Sequence, residues 1–203
     1  MAKTIYCDGD LPKAAKIKGD VAVDTEATGL SPLRDRLCVV QLKGEGSEAY
    51  VVRVEKPYAC PNLKKILSDK SRAHIFHFAR FDMMMIKKFL GVDVPNVFCT
   101  KIASRLCRTY SDRHSLATLA SELLGIELDK SEQCSDWAAK KFSKKQIEYA
   151  ASDVLYLHDI RKILADKLKR EGRAALAEAC FKFLPVRVAL DLDGWDEQDI
   201  FAH

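Results

Sequence analysis

The chain has 203 residues, enough for one domain with a substantial core and too few for a second full domain. Apolar residues make up 48% and charged residues 31%, an ordinary globular balance, and no apolar run reaches the eighteen residues of a membrane span. The net charge of +4 is too small to establish nucleic-acid binding, although it is compatible with a phosphate ligand. The first residues hold no apolar signal core, so secretion is not expected. Seven cysteines (Cys7, Cys38, Cys60, Cys99, Cys107, Cys134 and Cys180) are scattered, without a C-x-x-C pair or a histidine at zinc spacing. They read as buried thiols of a reducing cytoplasm.

Residues 4–7 are expected to form a short edge strand and residues 11–15 a weak helix. Residues 20–24 make the first central strand. Residues 36–43 and 49–54, joined by a turn at Gly44-Glu45-Gly46, make a hairpin. Pro61 opens a helix to about residue 67, followed by a buried strand over 73–76. A helix over 80–90 carries Met83, Met84, Ile86 and Leu90 as core filler. A strand over 97–99, a helix over 101–108 and a helix over 115–124 come next. Residues 142–169 read as one long helix, opened by a Ser143/Gln146 capping box, and Gly172 separates it from a last helix ending near Pro185. Strands in a meander, then strands alternating with helices, predict an α/β fold with a mixed central sheet flanked by helices. The acidic tail, 191–203, carries Trp195, Ile200 and Phe201, aromatic and apolar anchors expected to dock on a neighbouring surface or another subunit.

The chemistry-bearing residues start in Val21-Ala22-Val23-Asp24-Thr25-Glu26. Residues two apart on a strand share a face, so Asp24 and Glu26 point one way and Val21, Val23 and Thr25 the other. Two carboxylates beside apolar packing repel each other and lose hydration; a divalent cation would balance them, whereas on a solvated strand end they would need no partner. Asp82 falls in the first turn of a helix, where the dipole alone also favours an acid. Tyr149 and Asp153, four apart on a helix, point the same way.

D-x-E on a strand, Asp at a later helix start and Y-x-x-x-D on a late helix resemble the DEDD exonuclease superfamily in its DEDDy, tyrosine-containing branch. The segments Asp129-Lys130-Ser131-Glu132, Ser135-Asp136-Trp137 and Gln146 to Leu157 resemble the catalytic domain of the RNase D-like family. Three further segments are similar to the compact nanoRNase C enzymes: Arg34 to Leu42, Ile75 to Asp82 and Val97 to Leu106. The ending Asp199-Ile200-Phe201-Ala202-His203 fits them too. The resemblance implies an RNase H-like exonuclease fold over residues 1–203 as a single catalytic domain, without the helical domains that follow it in RNase D. It also implies two divalent cations, an octameric homo-oligomer in the cytoplasm, and 3′-to-5′ hydrolysis of very short RNA, especially dinucleotides. Longer RNA or single-stranded DNA is the alternative substrate, and a catalytically silent nucleic-acid-binding domain the alternative class.

Phosphodiester hydrolysis needs a nucleophile near neutral pH and charge relief on the leaving oxygen, which two Mg²⁺ or Mn²⁺ ions about 4 Å apart can supply. An all-carboxylate donor set suits these hard cations better than zinc. Asp24 is expected to bridge them, Glu26, Asp82 and Asp153 to complete the shells, and Tyr149 to orient the attacking water. A phenol with an ordinary pKa near 10 is a poor base for that water's proton. Leu30 matches the family position where an apolar side chain wedges between two bases, with core packing as the alternative. Thr25, His77 and Arg80 are candidate substrate contacts, each with a structural alternative. Lys101, Arg105, Arg108 and Arg113, opposed only by Asp112, form a local positive excess able to hold a phosphate. Lys140, Lys141, Lys144 and Lys145 read as a solvated helix entrance and Trp137 as a core plug.

Overall fold

Leu37, Val39, Val40, Gln41 and Leu42 have no exposed surface, which marks their strand as the middle of the protein. The computed structural model describes residues 2–31, 34–46, 48–129, 131–132 and 135–202. Cys134, Lys130 and His203, which carry part of the cysteine and motif expectations, lie outside the described residues. Strands β1 (Lys3–Asp8), β2 (Val21–Ala27), β3 (Leu37–Lys43) and β4 (Glu48–Arg53) come first. Then follow α1 (Pro61–Leu67), β5 (His74–Phe76), α2 (Ala79–Leu90), β6 (Val97–Cys99), α3 (Thr100–Cys107) and α4 (Leu116–Leu124). Helices α5 (Lys144–Leu155), α6 (Leu157–Arg170) and α7 (Ala174–Leu192) complete the order.

The sheet runs β1-β4-β3-β2-β5-β6. β2, β3 and β4 pair antiparallel, while β1 on β4, β5 on β2 and β6 on β5 are parallel, giving the expected mixed sheet. On one face Val21, Val23, Val40 and Leu42 pack with Leu63 of α1, Met83, Met85 and Ile86 of α2, and Leu184 and Val188 of α7. On the other, Ala22, Val39, Ala49 and Val51 pack under Ala150, Ala151 and Val154 of α5. The small residues of α5 let its backbone approach the sheet closely. Ala103, Leu119, Ile160, Leu164 and Ala177 form a third cluster among α3, α4, α6 and α7.

Four expectations are corrected. Residues 11–15 form no helix: Asp10 caps α1 instead, accepting from the backbone N–H of Asn62 (3.1 Å) and Leu63 (2.9 Å), while Leu11 and Ile17 anchor the connecting segment in the core. The long helix breaks at Tyr156, and α6 starts anew at Leu157. The last helix runs through Pro185 to Leu192; the ring removes one backbone donor, but Arg80 and Arg187 grip Asp191 and hold the following turn. Cys180 is half-buried, unlike Cys7, Cys38, Cys60, Cys99 and Cys107. Among the described residues no helix is long and apolar enough to cross a membrane.

Candidate active site

Strand β2 carries Asp24 and Glu26 on the α5 face, where α5 presents Tyr149 and Asp153. The capping box at Ser143 and Gln146 fixes where α5 begins, and so the height of Tyr149 and Asp153 above the sheet. One oxygen each of Asp24, Glu26 and Asp153 lies within 4.8 Å of the others, a group able to hold a metal ion. Asp82 comes from the first turn of α2, which packs on the opposite face. It is buried, and its Oδ1 accepts from the Thr25 hydroxyl at 2.7 Å. Thr25 therefore positions a carboxylate with its hydroxyl, and it also lines the cleft in which a substrate contact is expected of it.

Packed together, the four acids resist ionisation. Burial first, then the charges of Asp82, Asp153 and Glu26, holds the Asp24 carboxyl well above the usual range. Burial, with Asp153 and Asp82, pushes Glu26 up to about 9. Asp82 and Asp153 are pushed up to about 7, chiefly by burial, with the Thr25 bond pulling Asp82 back. Among the described residues no lysine or arginine ion-pairs with any of the four. A hard divalent cation is the counter-charge this oxygen-only set fits. The Tyr149 phenol is raised by burial and by Asp153, so it stays protonated. Trp137, buried as expected, stands 6.2 Å from its ring and 5.6 Å from that of Phe142.

The acids open into a cleft of about 360 Å³ lined also by Thr25, His77, Phe78 and Lys101, and on the far wall by Ser115, Leu116, Leu128 and Asp129. The Thr100 hydroxyl donates to the Phe76 carbonyl (3.1 Å), so it accepts from His77 Nδ1 at 2.9 Å and fixes the ring. Burial and the Lys101 ammonium lower the His77 pKa to about 3, leaving the imidazole neutral. Phe78, not foreseen as a site residue, caps α2 in the left-handed region at φ 72° and is 44% exposed, with Lys101 Nζ 4.3 Å from its ring centroid. A non-glycine residue held there is strained, a feature that clusters at functional sites. Only the motif around it gave a signal. The far-wall residues Ser115, Leu116 and Leu128 gave none, since small and apolar types at helix ends are common everywhere.

Leu30 is 83% exposed beside this cleft, so it is no packing leucine. Its loop is tied by Asp35, which accepts from the Ser31 N–H (3.0 Å) and the Thr28 hydroxyl (3.3 Å). A Cβ on Gly29 would lie 2.5 Å from that carboxylate, so a larger residue there would push Asp35 out of the loop's hydrogen bonds. A smaller hollow of about 220 Å³ joins Leu30, Phe78, Arg80 and Phe81.

The expected basic contacts divide. Lys101 lines the cleft. Arg108 does not: it is fully buried, donating to Ser104, to the Arg113 carbonyl at 2.8 Å and to Glu122, so its role in holding α3 against α4 replaces the expected phosphate contact. Arg80 forks its guanidinium onto both oxygens of Asp191 at 2.7 Å, and it also lines the hollow beside Leu30 and Phe78. Arg105 and Arg113 are exposed and outside the cleft. The four lysines near the start of α5 are exposed, as expected. The tail folds back on its own chain, with Phe201 packing on Phe183 at 6.1 Å between ring centroids.

A carboxylate cluster on the second strand of a mixed sheet, completed from helices on both faces and joined by a tyrosine, defines a 3′-5′ exonuclease of RNase H-like fold. The chain belongs to the 3′-5′ exonuclease family, whose sequence profile matches residues 9–169. It is similar over its whole length to Brucella melitensis NrnC bound to pGG (51% identity, 100% of both chains, TM-score 0.96). It is equally similar to Brucella melitensis NrnC with bound Mg²⁺ (50% identity, 99% of both chains, TM-score 0.94). Ribonuclease D of Gluconacetobacter diazotrophicus is 31% identical over 153 residues, 75% of this chain; the chain spans 39% of that protein's length.

Proposed function

We propose that the protein is a metal-dependent 3′-5′ exoribonuclease acting on very short RNA, dinucleotides above all, in the manner of the nanoRNase C enzymes. The observation that carries this reading is the meeting of Asp24, Glu26 and Asp153 within 4.8 Å, beside Tyr149 in one cleft, in a chain alike throughout to a nuclease bound to pGG. Two divalent cations, Mg²⁺ or Mn²⁺, would activate the attacking water and relieve charge on the leaving 3′ oxygen. Asp24, Glu26, Asp82 and Asp153 would hold them. Tyr149, kept protonated, donates to and orients the water without taking its proton. Neutral His77 and the Lys101 ammonium receive the phosphate at the cleft wall, and Leu30 and Phe78 flank the bases.

The 203 residues act as one catalytic domain, working in the cytoplasm as a homo-oligomer, an octamer by likeness to the family. The exposed Leu176, Phe183, Val186, Trp195, Ile200 and Phe201 of α7 and the tail support association; light scattering behind size exclusion reads the state directly. The substrate is tested with 5′-labelled RNAs of two, three, seven and about twenty nucleotides, with Mg²⁺, Mn²⁺ or chelator. Metal-dependent cleavage of the dimer, with slow attack on long chains, is expected. Efficient shortening of the longest RNA instead points to a general exonuclease, and no cleavage with either metal refutes the enzyme.

A further inference from the structure

Gln41 interrupts an otherwise apolar strand, Leu37-Cys38-Val39-Val40-Gln41-Leu42, and has no exposed surface. Both its amide atoms, Nε2 and Oε1, are buried with no hydrogen-bond partner among the described residues. An unpaired carboxamide in a protein interior costs about as much as a lost hydrogen bond for each polar atom, and a leucine or methionine would fill the same space without that cost. Its register supplies a reason for it to be there. On β2 it stands directly opposite Asp24, on the face that α5 covers. Side chains so paired across an antiparallel ladder have Cβ atoms roughly 5 Å apart, within reach of a glutamine amide. The other directly facing residue, Val51 on β4, is apolar, and so is Val39 two places back. Lys43, two places on, sends its ammonium to the Gly44 carbonyl at 3.2 Å.

We propose that Gln41 is a positioning residue of the metal site, its carboxamide N–H donating to the Asp24 carboxylate once cations are bound and fixing that carboxylate's orientation. Partners behind metal ligands tune affinity without touching the ion. The inference rests on the assignment of Asp24 to the metal site.

The test measures Mn²⁺ affinity, by electron paramagnetic resonance of free Mn²⁺, for the full-length protein and its Gln41→Leu, Gln41→Met and Asp24→Asn variants. A merely structural glutamine predicts unchanged affinity and a higher melting temperature in the two apolar variants. A positioning glutamine predicts affinity weaker by about 10- to 100-fold in both, even where melting rises. A loss below about fivefold in either apolar variant overturns the proposal, provided Asp24→Asn loses affinity; unchanged affinity in Asp24→Asn overturns the underlying assignment instead. A crystal structure of the unmodified protein with Mn²⁺ decides it independently of how the variants fold. Gln41 Nε2 at hydrogen-bond distance from an Asp24 oxygen is expected, and a separation beyond that reach overturns the proposal.

Discussion

Replacing Asp82 by asparagine in the metal-free protein should stabilise it, and the gain should grow with pH. Asp82 is 3% exposed, and its carboxyl is pushed from 3.8 to about 7, mainly by burial. The folded state therefore holds this proton more tightly than the unfolded chain. Its stabilising contribution is complete below about pH 3.8 and lost as pH rises through about 7. At roughly 1.4 kcal/mol per pKa unit, the loss reaches about 4 kcal/mol at pH 8. Asparagine never ionises, and its Oδ1 can still accept from Thr25, so the variant avoids this loss without breaking the 2.7 Å bond. In chelator, Asp82→Asn should exceed the parent by about 4 kcal/mol at pH 8 but only about 2 kcal/mol at pH 5. For a chain of this length that is a melting difference of about 8–16 °C at the higher pH. Saturating Mn²⁺ should reverse the order, because binding then favours the protein with the full ligand set. Differential scanning fluorimetry across this range checks both. Equal melting at pH 8, or an advantage independent of pH, refutes the electrostatic account of the site.

Tyr149→Phe should lower the rate by at least about 100-fold while leaving Mn²⁺ affinity and folding intact, read by single-turnover kinetics and calorimetry. Arg108→Ala should lower stability by about 2–5 kcal/mol in urea unfolding, since it empties a fully buried site and takes the donor from the Arg113 carbonyl, with no specific change in substrate KM. Leu30→Ala should leave stability within about 0.5 kcal/mol, as expected for a side chain 83% exposed, but raise KM for a dinucleotide in steady-state assays.

The strands were legible because each rests on local pattern; the four acids were joined as one set by the resemblance to the DEDDy exonucleases, since D-x-E, a helix-start Asp and Y-x-x-x-D are each weak signals alone. Val21-Ala22-Val23 and Leu37-Cys38-Val39-Val40 are apolar in the way a covered strand requires, and Tyr149 with Asp153 has the spacing of one helix face. What failed depended on partners far along the chain. Asp10 caps a helix 52 residues away, so residues 11–15 are held as a connection despite helix-tolerant composition. Tyr156 ends α5 with no glycine or proline to announce it. Arg108 looks like a phosphate ligand by type, yet Glu122 claims it. A basic side chain's destination is set by the acid the fold brings beside it, and only the fold says which acid that is. Phe78 was hidden for a related reason: its strained backbone is imposed by the junction of β5 and α2.

The acids converge from both sides of one sheet, Asp153 from the α5 layer and Asp82 from the α2 layer, with β2 between them. An ion held by this set works as a rivet through three layers. Anything that slides one layer over the other, a core substitution beneath α2 as much as one beneath α5, changes the bite of the site without touching it. Amide exchange in both outer helices should accordingly slow together when cation is added, reporting a single mechanical unit.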